Sequence, residues 1–392
     1  GANHGFRHVA GETYGMLVVA FQDFHFVRVS ANRSGGIGYV GPCDATIKDS
    51  IISHNAGHGV AWASTAPEQA GRLRLERCVI DHNGGSGLHV DETVPVEVTC
   101  DFRETDFKHN AESGVTLLLN HPEAILDIVY RGGHANGNVL HGLYLAAGRA
   151  ANQGFFDIAL SHNGGSGCNK VDAGDAPGVM ERVVAQHNGL HGLDLTGGTW
   201  SLVRCVASDN TGNGFALASK HNRSRHVTLM KFDDCEAARN GFDGLLATTG
   251  EDDADYKVVC ASSHFRSNGG NGLHLRCEHP LSSVELDWRD NSASGNDDNG
   301  VMLIAPVAMD KGLRFRVAGG DCNDNGHDGF AIDDTVTVNA SILSTLTLSE
   351  NGACGFRSPS GPLRFSRCVA THNGADGFRV TKSPLSSVTD WG

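Results

Sequence analysis

The sequence predicts an all-β solenoid: a single-stranded parallel β-helix of about fourteen rungs spanning residues 1–392 as one domain, held together by a ladder of asparagines. Two observations predict it. Fourteen glycines from Gly36 to Gly377 recur at intervals of 22 to 30 residues, on average 341/13 or about 26, and each has an asparagine four residues before it. The residue after each of these glycines is apolar, as is the residue three before each asparagine. Helical solenoids repeat at about 33 residues or more, so this period belongs to a β-coil or a leucine-rich repeat.

The elements of one rung follow from its periodicity. The third rung reads Leu73-x-Leu75, then Cys78-x-Ile80, then Asn83, then Gly87-Leu88-x-Val90. These are three short runs of period two, each ending in a bend, with no room for a helix. The Leu-x-x-Leu-x-Leu-x-x-Asn order of a leucine-rich repeat is absent. Rungs stacked about 4.8 Å apart place identical positions above one another. An asparagine in the bend then passes hydrogen bonds to the bends on either side, satisfying buried backbone groups. Asn55, Asn83, Asn110, Asn163, Asn188, Asn210, Asn240 and Asn268 are the ladder positions that carry this reading. The glycine fits a bend that needs positive φ or close backbone approach.

Composition excludes several classes. The chain has 51 Gly and 10 Pro in 392 residues, short of a disordered or collagen-like composition. The formal charge of −14 argues against a nucleic-acid or acidic-membrane binder. No apolar run reaches the ~18 residues of a membrane span, and no basic-then-apolar signal segment opens the chain. Eleven cysteines without a Cys-x-x-Cys pair speak against a zinc site. Cys78, Cys205, Cys235 and Cys368 share one inward position and read as reduced core filler.

The Asn-x-x-x-Gly-apolar-x-apolar rungs resemble those of the right-handed parallel β-helix superfamily of pectate lyases, polygalacturonases and alginate C5-epimerases. The match runs over residues 27–382. The resemblance implies a right-handed coil, an acidic polysaccharide as partner, an extracellular or cell-surface location and Ca²⁺ as a cofactor. It also implies a substrate groove along the strand that follows each glycine. The capping helix familiar from the superfamily is missing, so a second copy or another covering chain is expected at the open ends. The epimerases' Tyr-Gly-Phe-Asp-Pro-His signature does not occur.

On the groove strand the outward positions are the second and fourth residues after each glycine. In the middle rungs these supply His89, Asp91, Tyr144, Asn169 and Asp194. Abstraction of a uronate C5 proton needs a base and a group that neutralises the sugar carboxylate. Tyr144 and His89 are candidates for proton transfer, and Asn169 for substrate binding. Asp172 and Asp194, on successive rungs, are the candidate Ca²⁺ ligands. Lys170 occupies an inward position; buried, it would be a base of lowered pKa, while a bulge would turn it outward. The basic run containing Lys220 and Arg223 offers further bases, and Arg276, Arg357 and Arg379 extend positive charge along the groove strand as substrate-binding groups.

The expected activity is action on an acidic polysaccharide by β-elimination or C5 proton abstraction. One alternative is a glycoside hydrolase with paired acids, Asp172 with Asp194 or Asp333 with Asp334. Another is a non-catalytic rod, suggested by apolar outward residues such as Val40, Leu118, Met302 and Ile304. Six histidines directly precede a ladder asparagine, His54, His82, His109, His162, His187 and His372, and read as a structural ladder.

Overall fold

The rung that starts at Gly71 shows how each repeat folds. Gly71–Glu76 is a strand whose alternate residues Leu73 and Leu75 are fully buried. Arg77, at φ +52°, turns the chain into the short strand Val79–Asp81, and His82, also at φ +52°, turns it again. Asn83 follows, and after Gly87 the strand Leu88–Glu92 buries Leu88 and Val90. These are the three runs and bends that the periodicity predicts. In the next two rungs the first two runs join into single strands, Glu97–Lys108 and Ile125–His134. Glu104, at φ +47° within the first of them, marks the corner that remains.

This computed structural model describes residues 4–9, 21–41, 43–63, 70–147, 149–171, 177–218, 227–249, 255–279, 282–305, 312–359 and 361–381, and no α-helix occurs among them. The chain forms two units, Gly1–Leu190 and His191–Gly392. In the first, the post-glycine strands from His4–Val9 through Leu88–Glu92, Val115–Leu119 and Leu143–Ala147 to Cys168–Val171 lie side by side, all parallel. Register keeps equivalent positions together: Val60, Leu88, Val115, Leu143 and Cys168 form one inward file. The second unit repeats the plan from Leu193–Thr196 to Phe378–Val380. The molecule is therefore an all-β parallel solenoid.

Cores are layered. In the first unit Phe102, Phe107 and Tyr130 meet edge to face at 5.4 to 5.9 Å, and the Tyr130 hydroxyl donates to Thr105 O at 2.6 Å. The second unit stacks Phe330 on Phe356 at 5.6 Å and Phe215 near Phe232 at 5.4 Å. Aromatic pairs of this kind add about 1 kcal/mol beyond the area they bury. No disulfide joins the eleven cysteines; ten are buried and Cys368 is half-exposed.

The asparagine column is a continuous hydrogen-bonded ladder within each unit. Asn83 is typical: its backbone N–H and its Nδ2 both donate to Asn110 Oδ1, at 3.1 and 3.0 Å, and Nδ2 also donates to Ile52 O at 3.2 Å. The ladder glycines follow the second of their two expected roles. A Cβ on Gly87 would lie 2.6 Å from Gly114 O and 2.9 Å from Asn110 Nδ2, so close approach and not φ excludes a side chain. Positive φ falls instead on the residue before the asparagine, including His54 at +56°, His109 at +52° and His162 at +58°. Left-handed backbone costs about 1–2 kcal/mol, and histidine is among the residues that occupy it more readily. His54, His82 and His109 stack with ring centroids 5.0 Å apart on the surface.

Candidate functional site

The outward file of the first unit's post-glycine sheet gathers the polar groups. Register places His89, Thr116, Tyr144 and Asn169 on neighbouring strands, one after another. Beside them runs a second file, the residues immediately before each ladder glycine: His58, Ser86, Ser113, His141 and Ser166. Here the amide of one rung donates to the side chain of the rung before. Ser86 N–H donates to His58 Nδ1 at 2.9 Å, His141 N–H to Ser113 Oγ at 3.3 Å, and Ser166 N–H to His141 Nδ1 at 3.0 Å. The asparagine ladder runs the other way, each amide bonding to the rung after it. In the second unit Asn213, Asp243, Asn271, Asn299 and Asp328 continue the pattern, for example with Asn271 N–H to Asp243 Oδ1 at 2.7 Å. Sequence reasoning missed this second ladder, although its signal was present: a hydrogen-bonding residue before nearly every glycine.

Two of these histidines are fixed by the ladder. Because Nδ1 accepts from an amide, neutral His58 and His141 carry their proton on Nε2. His58 stacks on His89 with centroids 4.2 Å apart and planes 10° apart, and His141 stacks on Tyr144 at 5.5 Å. Burial pushes the His89 and His141 pKa values down, favouring neutral imidazoles. Ser86 Oγ bonds Glu112 Oε2 at 3.0 Å and Thr116 Oγ1 at 2.9 Å. Three buried polar atoms in these two files have no hydrogen-bond partner: His89 Nδ1, Ser166 Oγ and Asn169 Oδ1. A buried orphan of this sort costs about 1–3 kcal/mol. Next to His141, exposed Leu140 and Leu190 flank Gly165, joined by Gly165 N–H to Leu140 O at 2.6 Å and Leu190 N–H to Gly165 O at 3.1 Å.

His58, His89 and Glu112 bring three potential metal donors within 4.8 Å of one another. Their arrangement does not suit an ion. His58 Nδ1 is committed to Ser86, and near-parallel rings point their lone pairs side by side when a zinc ion needs them to converge at about 2.0–2.1 Å. Instead His58 stacks on His89, and its Nδ1 stands 3.7 Å from Glu112 Oε2.

The remaining predicted residues fall elsewhere. Lys170 is fully buried and inward, between Cys168 and Val171 on its strand, so it does not share the outward face with Asn169. Of its two expected placements, the buried one holds. Asp172, Lys220 and Arg223 lie outside the described residues. Asp194 is half-buried in the second unit; burial pushes its carboxyl up, against His191, which lowers it. Ca²⁺ takes about six to eight oxygen ligands, of which Asp194 would supply one or two. Arg276 pairs with Glu278 at 2.8 Å, Arg357 with Asp328 at 2.6 Å and Arg379 with Asp376 at 3.7 Å. Among the residues that sequence reasoning did not single out, Asp243 Oδ2 meets His274 Nδ1 at 3.0 Å. Burial raises the Asp243 carboxyl, but hydrogen bonds from His274 and Asn271 together hold it below its usual range.

No protein-family model and no curated protein matches this chain. Solved structures similar to it include the A-module of the mannuronan C-5 epimerase AlgE6 of Azotobacter vinelandii, at 13% identity and a TM-score of 0.39, covering 94% of this chain and 92% of that one. The AlgE4 A-module of the same organism aligns at 14% identity and a TM-score of 0.36, over 95% of this chain and 91% of that one. Likenesses this distant carry no argument about chemistry.

Proposed function

We propose that the first unit acts on an acidic polysaccharide, removing the proton α to a uronate carboxyl group at the face built by His89, Thr116, Tyr144 and Asn169. The observation that supports this reading is the coincidence, in two adjoining files, of a neutral half-buried imidazole with an orphan Nδ1 and two further unsatisfied polar atoms. Unsatisfied polar groups of this kind in a folded protein call for a binding or catalytic role at the adjoining surface. His89 is the base and takes the proton from C5. Tyr144, two strand spacings or about 10 Å away, hands a proton to the departing glycosidic oxygen or to the opposite face of C5. In the first case the C5–H electron pair forms the C4–C5 double bond as the C4–O bond breaks, which is β-elimination; in the second the centre inverts. Asn169, about 14 Å along the file from His89, donates from Nδ2 to the carboxylate of a neighbouring sugar, and the Leu140–Gly165–Leu190 ledge receives an apolar sugar face.

The test is a panel of pectate, alginate and glycosaminoglycan chains read two ways, by ultraviolet absorbance of unsaturated ends and by deuterium uptake from solvent. His89→Gln and Tyr144→Phe are expected to lower turnover by about 10²-fold or more, the usual scale of a lost general acid or base. Neither absorbance nor deuterium uptake on any chain would end this reading.

A further inference from the structure

The other sheet of the first unit carries a cleft of about 450 Å³ on the outer faces of the strands Asp44–Lys48, Gly71–Glu76, Glu97–Lys108 and Ile125–His134. Four of its lining residues are arginines, Arg72, Arg74, Arg103 and Arg131, in a chain whose formal charge is −14. Register sets Arg103 beside Arg131 on adjacent strands and Arg74 beside Asp101. Neighbouring strands are about 4.8 Å apart, so the guanidinium groups of Arg74, Arg103 and Arg131 can converge on one corner.

Elsewhere arginines of this unit are matched by acids: Arg77 by Asp49 at 2.6 and 2.9 Å, and Arg182 by Asp157 at 2.8 Å. In the cleft the matching is incomplete. Asp101 holds Arg103 in a two-pronged contact at 3.1 and 2.9 Å. Arg74 Nε is buried with no hydrogen-bond partner and Asp101 Oδ2 stands 3.9 Å away, while Arg74 Nη2 pairs loosely with Glu76 Oε2 at 3.4 Å. Arg131 lies over the Phe156 ring at 5.1 Å and makes no ion pair among the described residues. Stacking occupies the face of a guanidinium and leaves its edge donors available, the geometry that binds carboxylate or sulfate in a fork. Two acids of the cleft, Asp44 and Asp127, sit in the file of Arg72, away from that corner. Their charge steers an anion toward Arg74 and Arg131.

We propose that this corner is a second, non-catalytic binding site for an acidic polysaccharide, gripping carboxylate or sulfate groups of a strand that lies across the sheet. The choice of a glycan as the occupant rests on the function proposed above; the anion chemistry stands on the arginines alone. The cleft is polar and open, which suits a segment of an extended polymer better than an enclosed small molecule.

Binding of oligogalacturonate and of a sulfated heparin oligosaccharide, measured by titration calorimetry at low and moderate salt, tests it. Arg74→Gln with Arg131→Ala is expected to weaken both probes about tenfold or more and to flatten the salt dependence, as loss of two charge-assisted contacts requires. Asp127→Asn is expected to tighten binding, while Arg182→Gln, at an arginine outside the cleft and paired with Asp157, leaves it unchanged. Circular dichroism and thermal melts confirm that each variant is folded. Wild-type protein that binds neither probe, or an arginine variant that binds as wild type does, would overturn the proposal. Absent turnover with the calorimetric pattern intact would remove the catalytic reading and leave this site standing.

Discussion

His89 illustrates how a single side chain acquires its chemistry from position. As the second residue after a ladder glycine it points outward, yet the stacked His58 ring keeps it half-buried, and burial lowers its pKa below the ordinary 6.5. The folded state therefore resists a proton that the unfolded state accepts below pH 6.5. Its contribution to stability is complete above that pH and is lost as the pH falls toward the folded value. A nuclear magnetic resonance titration of the imidazole should give a midpoint below 6.5, and activity that depends on the neutral base should rise with pH through the same value. A midpoint at or above 6.5 would contradict this account. His89, Tyr144 and Asn169 were legible in the sequence because outward positions follow from period two. Their neighbours His58, Ser86 and His141 were not. They sit in a bend, where periodicity says nothing about direction and only their hydrogen bonds reveal it: His58 and His141 accept amides, and Ser86 Oγ meets Glu112 and Thr116.

Ladders are the elements that convert repetition into stability. Asn110 is fully buried and makes four side-chain hydrogen bonds: Oδ1 accepts from Asn83 N–H at 3.1 Å and Asn83 Nδ2 at 3.0 Å, and Nδ2 donates to Ile80 O at 3.2 Å and Asn138 Oδ1 at 3.1 Å. Asn110→Ala leaves several of these partners buried and unsatisfied, which should cost about 3 kcal/mol in urea denaturation. Because each rung touches only its neighbours, the damage should stay local. Hydrogen exchange should accelerate around Asn83 and Asn138 and leave the Gly36 rung nearly unchanged; uniform acceleration across the unit would refute that locality. The asparagine ladder was readable from spacing, since one residue type recurs. The second ladder mixes His, Ser, Asn and Asp, any of which presents an acceptor, so residue identity conceals a constant hydrogen-bonding role.

At the scale of the whole molecule, eleven thiols are stored without a single disulfide. Burial pushes Cys100, Cys260 and Cys322 upward, away from the reactive thiolate. Native protein should release about one equivalent of thiol to an aromatic disulfide reagent, from half-exposed Cys368, and all eleven after denaturation. Several fast-reacting thiols in the native state would show that the cores open readily. The odd cysteine count and the shared inward position of Cys78, Cys205 and Cys235 already pointed to this reduced, filling role. The arginine cleft was illegible for the opposite reason: Arg74, Arg103 and Arg131 come from three rungs, 29 and 28 residues apart, and only register brings them to one corner.

Two ladders that pass their bonds in opposite directions give most of the described rungs the same pair of sockets on either side. Duplicating or deleting a whole repeat of about 26 residues would leave each socket filled, whereas removing part of one would break both columns at once. Inheritance in such a chain can thus proceed by copying entire modules, altering length while the surface features of each retained module survive.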